Sequence, residues 1–238
     1  MSGVGAAVKA VALERLRNAR LHAANMNELR AVSKTPAPTF AGTVDDVRTV
    51  QAFAGELGAT LDVDGVPGSL TTRFLRMFQS TYAVGDYRTT PLAVTGSANV
   101  ATMKAIAHCR SNGLKVTDNF SYREYASKNP SKVVTAKNPV IMLERDLVLG
   151  MQSLREYYGA PISIVSGFRD SYWNTLIGGA RSSQHMLGKA ADFRVHGPMP
   201  TETVCARWFN GIGRHSLSGR VSHVDTRPHY ARWFYSGS

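Results

Sequence analysis

The stretch "SSQHMLGKAADF", residues 182–193, restricts the local fold more than any other part of the chain. His185 and Asp192 stand seven residues apart, and one continuous helix would place them on the same face. Gly188 between them and the strand-like sequence after it argue against such a helix. We therefore predict that His185 ends a turn or short helix, and that Asp192 begins or lies on a strand that returns beneath it. The two residues are either incidental polar groups of a buried turn or half of a metal site.

The other half of such a site stands further along the chain, in "VSHVDTR". His223 and Asp225 alternate on a predicted strand and therefore point to the same face. Two imidazoles and one carboxylate are the ligand count of a catalytic zinc, which keeps a fourth position for water. Zinc lowers the pKa of that water to about 7, and Asp225 stands on the correct face to accept its proton. From the residues alone, a metal site and a set of structural polar residues are equally good interpretations.

Residues 114–238 alternate between helical and strand patterns, which indicates an α+β fold with an antiparallel sheet and flanking helices. Ser121 is a suitable cap for a helix over "FSYREYA", and Asn138-Pro139 is a good opening for a helix that ends at Gly159. Four segments have the pattern of strands: "PISIVSG", "ADFRV", "VSHVDT" and "ARWFY".

Residues 41–113 contain an internal repeat, in which "VDGVPGSLTTRFL" (63–75) aligns with "VTGSANVATMKAI" (94–106). Each copy is predicted to form a glycine turn followed by a helix, and the helix "VDDVRTVQAFAGELG" precedes the first copy. The motifs "V-x-x-V-Q", "VDGVPG" and "T-x-x-F-L-x-x-F-Q" resemble the small three-helix peptidoglycan-binding domain of many cell-wall hydrolases. The resemblance implies a wall-binding domain over 41–113, and the alternative is a small helical bundle without a ligand.

The motifs "SGFRDSYWNTLIGGARSSQHMLGKAADF" and "HVDTR" resemble those of the zinc D-alanyl-D-alanine carboxypeptidase superfamily, of LAS type with a hedgehog-like fold. That group includes murein endopeptidases and phage endolysins. The shared pattern is Ser-Gly-aromatic-Arg, then Ser-x-His, a glycine, Ala-x-Asp and a later His on a strand, and it covers about residues 118–235. The resemblance implies a zinc peptidase domain over 114–238 that holds one Zn²⁺ per chain.

The same resemblance implies roles for individual residues. Arg169 would hold the substrate carboxylate or the developing oxyanion, a task suited to a fixed guanidinium. Several branches place Glu or Asp three residues before the last zinc histidine, where this chain has Arg220. The branch with "HVD" has an aspartate two residues after that histidine, so Asp225 is predicted as the general base; the alternative is that Asp225 only orients a ligand. The implied zinc ligands are His185, Asp192 and His223.

Other residues near these motifs carry weaker indications. His215, in "GIGRH", could line a cleft, but we predict a surface-loop histidine. Cys109 and Cys205 lack the spacing of a zinc site or a disulfide framework and are predicted to be small buried hydrophobic residues. Four aromatic residues are either walls for a stem peptide or part of the core: Tyr172, Trp173, Tyr230 and Trp233.

Charge and composition exclude some classes of protein. The net charge is +11, with +4 in residues 1–40, zero in 41–113 and +7 in 114–238. The basic residues are scattered and form no nucleic-acid motif, so no nucleic-acid partner is expected. Residues 1–40 are predicted to be a basic helix and a Pro-containing linker, without stable membrane insertion. No signal peptide is recognised, so we expect synthesis in the cytoplasm (of a host cell, for a phage protein) and action on the wall after release or within a particle.

We therefore expect a zinc-dependent peptidase that hydrolyses peptide bonds of bacterial peptidoglycan, as a DD-carboxypeptidase or an endopeptidase. We expect the protein to be a phage lytic enzyme that acts as a monomer. Its expected partners are the stem peptides of peptidoglycan. The alternative is a catalytically weak or inactive wall-binding or virion structural protein, since the acid expected at position 220 is missing.

Overall fold

The structure, a computed structural model, describes residues 41–130 and 141–235. The basic helix and linker predicted over residues 1–40 lie outside the described residues. The described α-helices are α1 Val44–Glu56, α2 Ser69–Thr81, α3 Val100–Ser111, α4 Tyr122–Tyr125, α5 Arg145–Tyr158, α6 Ser171–Leu176 and α7 Glu202–Cys205. Two 3-10 helices are Gly85–Arg88 and Gln184–Leu187, and the strands are β1 Ile162–Ser166, β2 Ala190–Val195, β3 Gly211–His215, β4 Val221–Asp225 and β5 Ala231–Tyr235. The predicted α+β class is confirmed, and none of these helices has the length and apolar character needed to cross a membrane.

Two buried glutamines hold the turns of the internal repeat. The Gln51 side chain accepts a hydrogen bond from the Gly65 N–H at 2.9 Å, and the Gln79 side chain accepts one from the Gly96 N–H at 2.8 Å. Each amide group also donates to oxygen atoms of its own turn. Gly65 and Gly96 have positive φ angles of 80° and 76°, which glycine adopts without strain. The two copies of the repeat therefore share one local geometry.

The helical segment and the C-terminal part share one hydrophobic core. The ring of Phe78 on α2 lies 5.9 Å from the ring of Tyr122 on α4. At the start of α5, the Arg145 guanidinium donates to four backbone carbonyl groups between Ser80 and Arg88. The described residues after position 40 accordingly form one compact unit, and the core runs across the predicted boundary between residues 113 and 114.

The five strands form one sheet in the order β1-β2-β4-β3-β5. Three of its four pairings are antiparallel, as predicted, but β5 runs parallel to β3. Both edges of β4 are occupied, by β2 and β3, so the chain reverses after β4 and pairs with the free edge of β3. Because β3 is itself antiparallel to β4, the reversed strand is parallel to β3. The prediction of a wholly antiparallel sheet is corrected in this respect.

The helix before the sheet is shorter than predicted. Residues 141–144 are not helical: Ile141 and Leu143 are buried, and the Glu144 N–H donates to the Gly188 carbonyl at 3.0 Å. Helix α5 therefore begins at Arg145. Its end agrees with the prediction, since Gly159 follows it in the left-handed conformation.

Strand β3, "GIGRH", was missed by the sequence analysis. Gly211 and Gly213 lower the strand propensity of this segment. Both glycines are needed by packing, because a Cβ at 211 would lie 2.2 Å from the Asp225 carboxylate and a Cβ at 213 would lie 2.6 Å from the Tyr235 ring. The glycines that hide the strand from prediction therefore make room for its neighbours.

The two cysteines behave as predicted. Cys109 and Cys205 are both buried and free. Burial raises the pKa of each thiol to about 12, so both remain protonated and pack as small core side chains.

We expect Gln51→Leu and Gln79→Leu each to lower the free energy of unfolding by about 1–3 kcal/mol, because each substitution leaves a turn N–H without its acceptor. Denaturant unfolding followed by circular dichroism measures the change. Gln184→Leu is the matched control, since the Gln184 amide donates over a long 3.5 Å, and we expect it to stay within about 0.5 kcal/mol of wild type. Equal losses in all three variants would contradict the anchoring role of the two buried glutamines.

Candidate metal centre

The register of β2 and β4 brings two of the predicted ligands side by side. Asp192 pairs directly with His223 in this antiparallel ladder. The β1–β2 pairing contains one extra residue at Val165, and the β3–β4 pairing contains one at Ser222. Such bulges bend a strand and re-aim its side chains. Both ligands therefore lie beside a local irregularity of the sheet.

His185 reaches the same place from the 3-10 helix Gln184–Leu187. Gly188 ends this helix with a positive φ of 68°, and a Cβ at this position would lie 2.4 Å from the backbone of Met142. Glycine is therefore required for the chain to turn back into β2. The Arg169 N–H also donates to the His185 carbonyl at 3.2 Å, which ties the turn to the segment after β1.

Three donor atoms converge at this point: His185 Nε2, Asp192 Oδ1 and His223 Nδ1. The two ring nitrogens are 3.2 Å apart. Asp192 Oδ1 lies 3.3 Å from His185 Nε2 and 2.8 Å from His223 Nδ1. A tetrahedral ion with bonds of about 2.0 Å has ligand–ligand edges of roughly 3.3 Å. This donor triangle therefore has the size that a zinc ion requires.

The second nitrogen of each histidine is engaged by an acceptor. His185 Nδ1 lies 2.7 Å from the Gly167 carbonyl oxygen and donates its proton to it. His223 Nε2 lies 3.1 Å from Asp225 Oδ2 and donates likewise. With these tautomers, the lone pairs of the other two ring nitrogens face each other and an Asp192 oxygen, with no hydrogen between them. A cation satisfies all three atoms, and outer hydrogen bonds of this kind are the usual support for metal-binding histidines.

The protonation of the donor triangle suits a metal ion. Burial opposes ionisation of Asp192, but the adjacent imidazoles of His185 and His223 outweigh it and hold the pKa of this carboxyl below its usual range. Burial lowers the pKa of His185 and favours the neutral ring that ligation requires. Burial also opposes protonation of His223, but Asp192 and Asp225 outweigh it and raise the pKa of that ring. Positive charge at His223, from a proton or a metal ion, therefore compensates the two carboxylates.

Asp225 is fully buried behind His223. The Arg227 side chain donates to both carboxylate oxygens, at 2.7 and 2.6 Å, and the Arg227 N–H adds a third hydrogen bond at 3.1 Å. Asp225 also accepts from Nε2 of His223, which is the nitrogen outside the donor triangle. Asp225, the predicted general base, is therefore enclosed by its hydrogen-bond partners. It lies on the side of the His223 ring that faces away from the donor triangle.

Arg169 lies directly beside the donor triangle. Its Nε donates to Ser166 Oγ at 2.8 Å, and its Nη2 pairs with Asp192 Oδ2. The Arg169 side chain is 15% exposed. Arg169 therefore fixes one oxygen of Asp192 and leaves the other oxygen for the triangle.

An open pocket leads to the donor triangle. His215 lies on β3 and lines this pocket, so the prediction of a surface-loop histidine is wrong. Trp233 is part of the wall, whereas Tyr172 and Tyr230 are exposed outside it and Trp173 does not line it. Besides the three donors, the described lining includes Val165, Arg169, Arg194, His215, Arg220, Arg227, Trp233 and Tyr235.

Sequence reasoning missed Arg227 and Gly211 as parts of this site. Arg227 follows Asp225 by two residues in "HVDTR", a spacing at which extended side chains share a face. Glycine inside a strand marks the close approach of another group, which at Gly211 is the Asp225 carboxylate. Both signals are present in the sequence but have many other causes.

Two buried histidines and a partly exposed aspartate that converge in an open pocket are typical of metal-dependent hydrolases. Residues 118–225 match the family model of Peptidase M15. The chain is 30% identical over 143 residues to the zinc D-Ala-D-Ala carboxypeptidase of Streptomyces albus G, an alignment that covers 57% of this chain and 51% of that protein. The chain therefore spans about half the length of the curated relative it matches. These matches support a zinc metallopeptidase and, with the donor triangle, indicate Zn²⁺ as the metal.

We expect Asp225→Asn to weaken zinc binding roughly 10–100-fold, because His223 loses the carboxylate that orients its ring. Competition with a chromogenic chelator measures the affinity, and circular dichroism checks that the variant is folded. Asp62→Asn, on an exposed residue of the helical segment, is the control and should bind zinc like wild type. An Asp225→Asn variant with wild-type zinc affinity and no hydrolysis would instead support the general-base role.

Proposed function

We propose that this protein is a zinc-dependent peptidase that hydrolyses peptide bonds of bacterial peptidoglycan. The proposal is carried by the donor triangle of His185, Asp192 and His223 at the base of an open pocket. When bound there, zinc supplies Lewis-acid activation of a water molecule and of the scissile carbonyl. The Streptomyces albus G relative is a zinc D-Ala-D-Ala carboxypeptidase, which supports a stem peptide ending in D-Ala-D-Ala as substrate.

The residues around the donor triangle would stabilise charge, orient a ligand and accept a proton. Arg169 holds Asp192 beside the donor triangle, where its guanidinium would stabilise negative charge on the carbonyl oxygen of a bound peptide. We assign Asp225 to orienting His223 instead of accepting a proton, because both its oxygens are paired with Arg227 and it is 0% exposed. The proton of the attacking water would then pass to another lining group, and the His215 imidazole is one that could accept it.

The finer assignment is a DD-carboxypeptidase or a cross-link endopeptidase that serves as a phage lytic enzyme. The helical segment over residues 41–113 supports this assignment through its resemblance to wall-binding domains. Its two repeat turns have the same geometry, held by Gln51 and Gln79. A wall-binding segment in the same chain would concentrate the pocket on an insoluble polymer.

A second candidate function is a wall-binding or virion structural protein with weak or absent catalysis. Among the described residues that line the pocket, Asp192 alone carries a carboxylate, and this carboxylate is paired with Arg169. Arg220 occupies the position where related enzymes carry an acid, and Asp225 is enclosed. The described part of the pocket therefore offers no free carboxylate as a base, which favours this second candidate.

Digestion of purified peptidoglycan sacculi tests the proposal. We expect wild type with zinc to release peptide fragments with new amino termini, whose masses identify the bond that is cut. His185→Ala should release none above background, because the triangle loses a ligand, and chelator treatment of wild type should have the same effect. His229→Ala is the matched control: this histidine is exposed and outside the pocket, so the variant should release the same fragments as wild type.

One result would contradict the peptidase proposal and support the second candidate function. It is a zinc-loaded wild-type protein that sediments with sacculi but releases nothing from several wall chemotypes. Sedimentation and metal content are therefore measured on the samples used for digestion.

A further inference from the structure

The pocket carries an excess of positive charge. Among its described lining residues, four guanidinium groups stand against one carboxylate, that of Asp192. The four belong to Arg169, Arg194, Arg220 and Arg227. A bound divalent cation would add to this positive potential, so the pocket as a whole favours an anionic occupant.

Two of the four arginines are committed to other groups. Arg169 is held by Ser166 and Asp192, and Arg227 forms a bidentate pair with Asp225. Arg227 also lies over the Trp233 ring, 5.0 Å from its centroid. These two arginines therefore balance the charges of Asp192 and Asp225, and neither is free to form a bidentate pair with a substrate carboxylate.

The other two arginines are available. Arg194 and Arg220 contact no acidic side chain within the described part of the chain. Arg194 stands two residues after Asp192 on β2, so its side chain leaves the same face of the sheet as that ligand. Arg220 directly precedes β4, three residues before His223. Both side chains thus line the pocket that leads to the donor triangle, one from β2 and the other from the residue before β4.

The backbone of Arg220 is held by hydrogen bonds at the turn of the β3–β4 hairpin. Its carbonyl accepts from the His215 N–H at 3.0 Å, and its N–H donates to Ser218 Oγ at 3.3 Å. Gly219, with a positive φ of 66°, closes the turn immediately before it. Arg220 is half-buried, and its guanidinium is a planar fork that loses less freedom per hydrogen bond when it binds a planar anion.

We propose that Arg220, assisted by Arg194, binds a carboxylate of the substrate beside the scissile bond. Guanidinium and carboxylate form two parallel charge-assisted hydrogen bonds, which give both affinity and orientation. The arginine at the position of the expected acid is therefore a specificity residue that selects acidic peptides. This inference rests on the proposed peptidase function for its scissile bond, whereas the preference for a carboxylate is measurable by binding alone.

Two carboxylates of peptidoglycan have this chemistry. One is the free C-terminus of a stem peptide ending in D-Ala-D-Ala, and the other is the α-carboxylate of a γ-linked D-glutamate. Each lies within one residue of a cleavable amide bond. Two arms of one experiment separate them.

The experiment uses the zinc-loaded full chain and two pairs of peptides. The first pair is diacetyl-L-Lys-D-Ala-D-Ala and its C-terminal amide, and the second is an L-Ala-γ-D-Glu peptide with its α-carboxylate free or amidated. Calorimetric titration gives Kd where the peptide stays intact, and steady-state hydrolysis gives kcat and KM where it is cleaved. The protein variants are Arg220→Gln, Arg220→Lys and the control Arg207→Gln, whose arginine is exposed over the Tyr157 ring outside the pocket.

We expect wild type to bind the free acid of one pair roughly tenfold to hundredfold more tightly than its amide. Arg220→Gln should remove this difference by weakening the acid and not the amide, and should raise KM with little change in kcat. Arg220→Lys should recover part of the preference, since it keeps the charge but not the planar fork. Arg207→Gln, with the same change of charge, should behave like wild type.

Two results would overturn the inference: equal binding of acid and amide by wild type in both pairs, or a preference for the acid that survives in Arg220→Gln. A wild type that prefers the acid but cleaves no peptide leaves the inference standing and contradicts the peptidase function instead. The pair that shows the preference identifies the carboxylate.

Discussion

The antiparallel pairing of β2 with β4 is the constraint on which the site depends. It sets Asp192 opposite His223, and a slip of one residue would turn one of the two side chains to the other face of the sheet. His185 comes from a separate turn, and Gly188 allows that turn to lead directly into β2. The three donor atoms thus depend on one register and one glycine. Sheet pairing, which is cooperative and buried, is a more precise support for a metal site than loops are.

Charge balance is the second principle of the site. Asp192 and Asp225 contact opposite nitrogens of His223, and each carboxylate has an arginine of its own, Arg169 and Arg227. Buried charges without partners would be costly, and the two pairs remove most of that cost before a metal binds. A local excess of positive charge then remains for a ligand that enters from solvent.

The sequence predicted those parts of the structure that depend on local pattern. His185, Asp192 and His223 were accessible because a glycine turn and a period of two are visible in single segments. Strand β3 was not, because packing against Asp225 demanded glycine where strand propensity favours a branched residue. The parallel β5 depends on which sheet edges are free, and the pairing of Arg227 with Asp225 depends on the tertiary environment. Neither is encoded in a local period.

The shared core after position 40 has a consequence for how the molecule would work on a solid substrate. Arg145 and the Phe78–Tyr122 contact tie the helical segment to the part that carries the pocket, so the two have a fixed distance and direction. A module on a flexible linker lets its partner search a volume around the anchoring point. A rigidly joined pair cannot search, and the polymer must bring the bond to the pocket. On a wall surface, polymer strands that are loose enough to move to the pocket would then be within its reach. Strands that are held under tension would not.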